Sequence, residues 1–268
     1  MKTSFLLFLV LLLTTSSAYK EKPPCHCLDY YKNKLTNSGP VLEFQAAASG
    51  IDFHKVTNGL FMDSVFLKNH LSASDYENLE DFFTVNVSDE NHFLESPRIG
   101  FANAKDTSLI NELLKNYQEQ KLELEDGFRL LWSQKPTRID EKLLYTLYAV
   151  RRPEESEVIL RSENIENARI SNFPTDTTWS VSINFDEEGS EKMSALSIQN
   201  VGNYLLLISH NKVLSAPIII SPIDHGYILI DGKFTEEEAT SKSNWISCDG
   251  YSRRIGQKKF KKEMKKCQ

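Results

Sequence analysis

Past its first eighteen residues the chain has no apolar run near the roughly 20 residues that a membrane-crossing helix needs. The longest, 204–208 and 216–220, are strand-sized, so this part is expected to be soluble. There are no internal repeats and no low-complexity run other than a basic C-terminal stretch. Asp249-Gly250 and Gly256 lack the spacing of a phosphate-cradling loop. No serine sits in a Gly-x-Ser-x-Gly turn. Asp224-His225 sets an acid beside an imidazole, but neighbours on a strand point to opposite faces, so the pair reads as a turn ahead of strand 227–230. Cys25-His26-Cys27 has the residue types of a metal site. Two cysteines and one histidine do not complete a tetrahedral set, and no second cluster lies nearby. Nor does any catalytic set support a hydrolase in residues 41–95. The expectation is a chain that is no enzyme and carries no cofactor and no metal.

What is present begins with a leader. Lys2 supplies a positive end, residues 5–13 (FLLFLVLLL) a short apolar core, and 14–18 (TTSSA) put Ser16 and Ala18 at the small-residue cleavage positions. Cleavage after Ala18 would leave 19–268, exported to the periplasm of a bacterium or otherwise secreted. Asn86-Val87-Ser88 is a glycosylation sequon, relevant only in a eukaryotic secretory host. Charge is unevenly placed. Residues 252–268 hold eight Lys/Arg against Glu263 alone, a net of +7, in a chain of net −6. Such a tail is either a solvated end or an electrostatic contact with anionic lipid or an acidic partner; nucleic acid is not an expected partner. The four cysteines, Cys25, Cys27, Cys248 and Cys267, lie toward the chain ends. Export permits disulfides, and four cysteines allow three pairings. Cys248 with Cys267 is the candidate that would tie the basic tail to the body.

Along the chain, 19–40 reads as a loosely ordered lead-in with Pro23-Pro24 and Ser38-Gly39-Pro40. Residues 41–44 suit a strand, and Ser72 can cap a helix running through Leu79 to Phe83. From Ile99 the pattern sharpens. A strand over 99–104 precedes the N-cap Asp106, after which Leu109, Ile110, Leu113, Leu114 and Tyr117 recur at helical spacing. Residues 128–132 and 143–150 read as strands. Residues 180–239 read as strand, helix, strand, turn, strand, strand, helix. Asp186-Glu187-Glu188 and Glu236-Glu237-Glu238 open the two helices, where negative charge complements the helix dipole. Beyond Glu238, apolar residues are too sparse to predict a helix. The fold class is α+β, with a mixed or antiparallel sheet and helices packed on one side. Residues 205–208 and 213–220 form an apolar hairpin in which Pro217, unable to donate to a ladder, belongs at a bulge or an edge. Exposed, Pro217, Ile218, Ile219 and Ile220 are the candidate contact for an extended polypeptide; buried, they are core.

Asp186, Gly189, Asn200, Gly202, the strand 204–209, the turn His210-Asn211-Lys212, Pro217, Ile223 and the stretch 230–235 running into 236–239 resemble the head of the first large periplasmic domain of SecD. Residues 99–114 (IGFANAKDTSLINELL), 128–136 and 144–152 resemble, in the same order, the segment that leads into the head in fused SecDF proteins. The resemblance implies a division into a signal peptide (1–18), an unrecognised N-terminal region (19–98), a SecD-like head region (99–240) and a basic C-terminal tail (241–268). It implies non-catalytic binding of unfolded or newly exported polypeptide beside the translocon, without the membrane helices that drive the full proteins. The alternative is an envelope structural or adaptor protein that binds one folded partner.

Overall fold

The computed structural model describes residues 25–34, 42–47, 60–61, 63–79, 83–85, 96–120, 128–151, 160–172 and 178–267. The leader, its cleavage position and the sequon at Asn86 lie outside the described residues. Within them, no helix is long and apolar enough to cross a membrane.

Three antiparallel sheets are stacked with helices between and around them, an α+β fold. The first sheet has the order β2 (Thr84–Val85), β3 (Arg98–Ala102), β6 (Lys142–Arg151), β4 (Phe128–Trp132), with β5 (Thr137–Ile139) also on β6. Helices α2 (Ser64–His70), α3 (Ala73–Glu77) and α4 (Thr107–Gln120) lie beside it. Ser72 caps α3, accepting from the Asp75 amide at 3.1 Å, and α4 begins directly after Asp106 as the sequence predicts. The second sheet runs β11 (Lys212–Ser215), β10 (Leu205–Ser209), β1 (Glu43–Ala46), β7 (Leu160–Arg161). The third runs β12 (Tyr227–Phe234), β9 (Trp179–Phe185), β8 (Ile165–Ser171), with α5 (Glu187–Gln199) and α6 (Glu236–Ile255) against it.

The period-2 alternation of strands explains how the layers join. On β6, Leu147 and Ala149 pack with Phe66, Ile99, Ile110 and Leu113, whereas Tyr148 and Val150 face Leu206, Ile208 and Val213 of the second sheet. On β10, Leu206 and Ile208 take that side, and Leu205 and Leu207 turn the other way to Val181, Ile183, Phe185 and Met193. Both strands are buried on two faces, so they read as near-continuous apolar runs.

A separate cluster joins the two ends of the chain. The turn Cys25–Cys27 and α1 (Leu28–Lys34) pack on α6 and on α7 (Gln257–Met264), burying Tyr30, Phe260 and Met264. This corrects three expectations. Residues 25–34 are helical rather than a loose lead-in. Residues 241–268 are not a tail: 241–255 complete α6 and 257–264 form α7. Cys248 and Cys267 do not pair with each other; Cys248 bonds Cys27 and Cys267 bonds Cys25. Cys248 lies on the face of α6 that meets the N-terminal turn, so its sulfur finds Cys27 in the same buried cluster. Cys25, two residues earlier, is then left beside Cys267.

Candidate functional site

Most residues of the 180–239 pattern build local structure. Asp186 caps α5, its carboxylate accepting from the Gly189 amide at 2.8 Å. A Cβ on Gly189 would sit 2.5 Å from the Asn164 carbonyl, so only glycine lets α5 approach that turn. Asn200 closes the helix by donating to the Leu196 carbonyl at 2.7 Å. Gly202, at φ +82°, turns the chain so that its amide reaches the Ile219 carbonyl at 2.8 Å. Thr235 and Glu238 form a reciprocal capping box that starts α6. None of these groups is left over for chemistry.

What they frame is an apolar cleft of about 290 Å³ between the edges of two sheets. Phe44, Met193, Leu205 and Leu207 line it. On one side stand Ser215, Pro217 and Ile223; on the other stands β12, through Ile228, Leu229 and Ile230. Phe44 belongs to the region 19–98 that the sequence left unrecognised. Ser215 is the only polar side chain among the described residues of the lining. A surface of this kind can hold apolar side chains.

The third sheet has two unlike edges. Along β8 the edge is covered by α6: Ser247 accepts from the Ala168 amide at 2.8 Å and donates to its carbonyl at 3.1 Å, and Arg254 donates to the Glu166 carbonyl at 3.0 Å. At the opposite edge, β12 pairs only with β9 among the described residues, and the cleft lies beside it. The alternation on β12 turns Ile228 and Ile230 to the core and leaves Tyr227 and Leu229 exposed. An open edge with apolar side chains is unusual in a protein that covers its other edge.

The four hairpin residues divide. Pro217 lines the cleft, and its carbonyl accepts from the Leu205 amide at 3.0 Å. Ile218 is partly exposed and Ile220 is 88 % exposed. Ile219 is core, 5 % exposed and packed with Leu205 and Met193, which corrects its assignment as a contact residue. The cause is register: the Ile219 amide and carbonyl bond Asn203 and Gly202, which fixes the side chain inward and its two neighbours outward. The sequence reading missed Tyr227 and Leu229. Their signal was present in the run 227–230, which is apolar at both phases where a half-buried strand alternates.

Two other constellations come together without forming a site. Asp224 and His225 lie in an exposed turn, 3.7 Å apart, and the His225 ring packs edge-on against Tyr227, an arrangement of surface groups rather than a catalytic set. His26, Cys27 and Cys248 cluster within 4.8 Å, but the two sulfurs are bonded to each other, which removes the thiolates a metal would need.

Residues 143–246 match the family model of the SecDF P1 head subdomain. Over these residues the chain is similar to a SecD-type head. The protein translocase subunit SecD of Rhodothermus marinus is 34 % identical over 142 residues, covering 52 % of this chain and 22 % of that protein. The corresponding subunit of Magnetococcus marinus is 28 % identical over 141 residues, 53 % of this chain and 26 % of that protein. The chain thus spans about a quarter or less of these relatives. A solved structure of the membrane component SecDF that enhances protein export covers 77 % of this chain and 93 % of its own, at 16 % identity and a TM-score of 0.34. The matched residues include β12 and the whole cleft lining except Phe44, and they begin within β6.

Proposed function

We propose that this protein is an exported SecD-like module that binds unfolded or newly exported polypeptide non-covalently, as an accessory to protein translocation. The observation that carries this reading is the open edge of β12 beside an apolar cleft, on a sheet whose other edge is covered by Ser247 and Arg254. An extended segment adding to β12 would satisfy its free backbone groups and place alternate side chains in the cleft between Pro217 and Ile228. Ile220 and Leu229 would form the exposed rim. Backbone pairing reads no sequence, which suits a client that differs from one export event to the next. Affinity is modest because ordering a flexible chain offsets much of the gain. Relatedness to SecD supports a position near the translocon.

The test uses labelled apolar peptides of unrelated sequence. Wild-type protein should bind several of them in the micromolar range. N-methylation of alternate residues on the edge that pairs should abolish binding, while methylation of the other edge should not. Leu229→Asp, at an exposed position, should weaken binding about tenfold at unchanged Tm. Tight capture of one folded partner with indifference to peptides would instead support an adaptor.

A further inference from the structure

We propose that α7 is a docking face for anionic phospholipid, held rigid by the Cys25–Cys267 bond. This goes beyond polypeptide binding and does not depend on it. Two turns of helix, continued by Lys265 and Lys266, carry six exposed lysines: Lys258, Lys259, Lys261, Lys262, Lys265 and Lys266. At about 100° per residue they fan across the half of the helix opposite Phe260 and Met264, which are buried. The one acid of this helix, Glu263, is half-buried and turned to the Tyr251 hydroxyl, from which it accepts at 2.7 Å; it offsets one of the six charges and leaves a net of +5.

Helix stability does not explain this pattern. Lys261 and Lys262 near the C-terminus suit the dipole, but Lys258 and Lys259 stand in the first turn, where positive charge opposes it. That turn has no acid, and Gly256 offers no side-chain cap. The apolar stripe and the disulfide hold in place a helix that its own charges disfavour. A charge fan kept at local cost points outward, to a partner.

The shape selects the partner class. The six lysines fan over half the circumference of one helix instead of converging on a point, so the face matches a charged plane better than a defined anion. Phe260 and Met264 are occupied within the protein, which leaves electrostatic docking without insertion.

The experiment is cosedimentation of the oxidised protein, without its leader, with vesicles of phosphatidylcholine alone or with about a third phosphatidylglycerol. Binding is expected only to the anionic vesicles, and it should disappear on going from about 0.05 M to 0.5 M salt. The variant Lys258→Gln/Lys261→Gln/Lys262→Gln/Lys265→Gln should lose at least tenfold. A control with the same charge change elsewhere, Lys105→Gln/Arg138→Gln/Lys142→Gln/Lys212→Gln, should lose threefold or less. Absence of wild-type binding, salt-insensitive binding, or equal losses in the two variants would overturn the proposal. So would displacement from vesicles by polyglutamate at equal charge concentration, which would assign the face to an acidic polypeptide.

Discussion

Asp249 shows how one buried side chain can hold three segments together. It is fully buried on α6. Tyr30 of α1 donates to one carboxylate oxygen and Arg253 to the other at 2.8 Å. Burial alone would raise its pKa, but hydrogen bonds from Ser162, Tyr30 and Arg253 outweigh that and hold it below the ordinary carboxylate value. Its own burial, and after that the neighbouring Asp249 carboxylate, push the Tyr30 hydroxyl far up, so it stays a donor at any ordinary pH. A carboxyl with a depressed native pKa contributes stability that is complete above its unfolded value, about 4, and is lost as pH falls through the native value. Asp249→Asn should therefore destabilise by about 2–3 kcal/mol at pH 7, because the charge-assisted hydrogen bonds from Tyr30 and Arg253 are lost, while Arg253 is partly exposed and keeps the influence of Glu163. In urea unfolding the gap between wild type and variant should narrow at pH 3. A gap of equal size at both values would mean that the carboxylate is not ionised in the native state.

At the scale of elements, legibility followed side-chain size. The strands β6 and β10 were readable as near-continuous apolar runs, and the helix α4 because Ile110, Leu113, Leu114 and Tyr117 recur at a clean helical period. The candidate cleft was half readable: Pro217 was found, but the inward register of Ile219 depends on bonds to Gly202 and Asn203 that no period announces. Helix α6 was lost beyond Glu238 because it packs through small and polar groups, Ser243, Asp249, Gly250 and Ser252 among them, which carry no apolar periodicity. Close approach replaces apolar bulk. A Cβ on Gly250 would lie 2.8 Å from the Ile165 carbonyl and 2.9 Å from that of Ser162. Gly250→Ala removes a helix-disfavouring glycine, a gain of about 1 kcal/mol in open helix. Backbone contact leaves no flexible atom to yield, so the net effect should be a loss of about 1–3 kcal/mol. Thermal melting checks the sign: a higher Tm would mean that α6 can slide away from the turn at Ser162.

At the scale of the molecule, the order of layers and the joining of the ends set what can be separated from what. The two disulfides span 221 and 242 residues of sequence. Once Cys27 and Cys248 are joined, however, Cys25 and Cys267 close a ring of only about 20 residues, for which chain entropy gives roughly 3 kcal/mol. The two bonds also differ in setting. Cys27 and Cys248 are buried in the end cluster, whereas Cys25 is exposed and Cys267 partly so. Cys25→Ser/Cys267→Ser should leave the three sheets intact and chiefly loosen α7, whose buried anchors are Phe260 and Met264. Cys27→Ser/Cys248→Ser should cost more, since it also puts two hydroxyls into an apolar cluster beside Tyr30. Amide exchange read by mass spectrometry separates the cases. In the first variant protection should fall over 257–264 and persist in β9 and β10, while the second should lose protection along α6 as well and melt at a lower temperature. Loss of protection in β10 by the first variant would show that the end cluster supports the stacked sheets rather than merely fastening α7 to them.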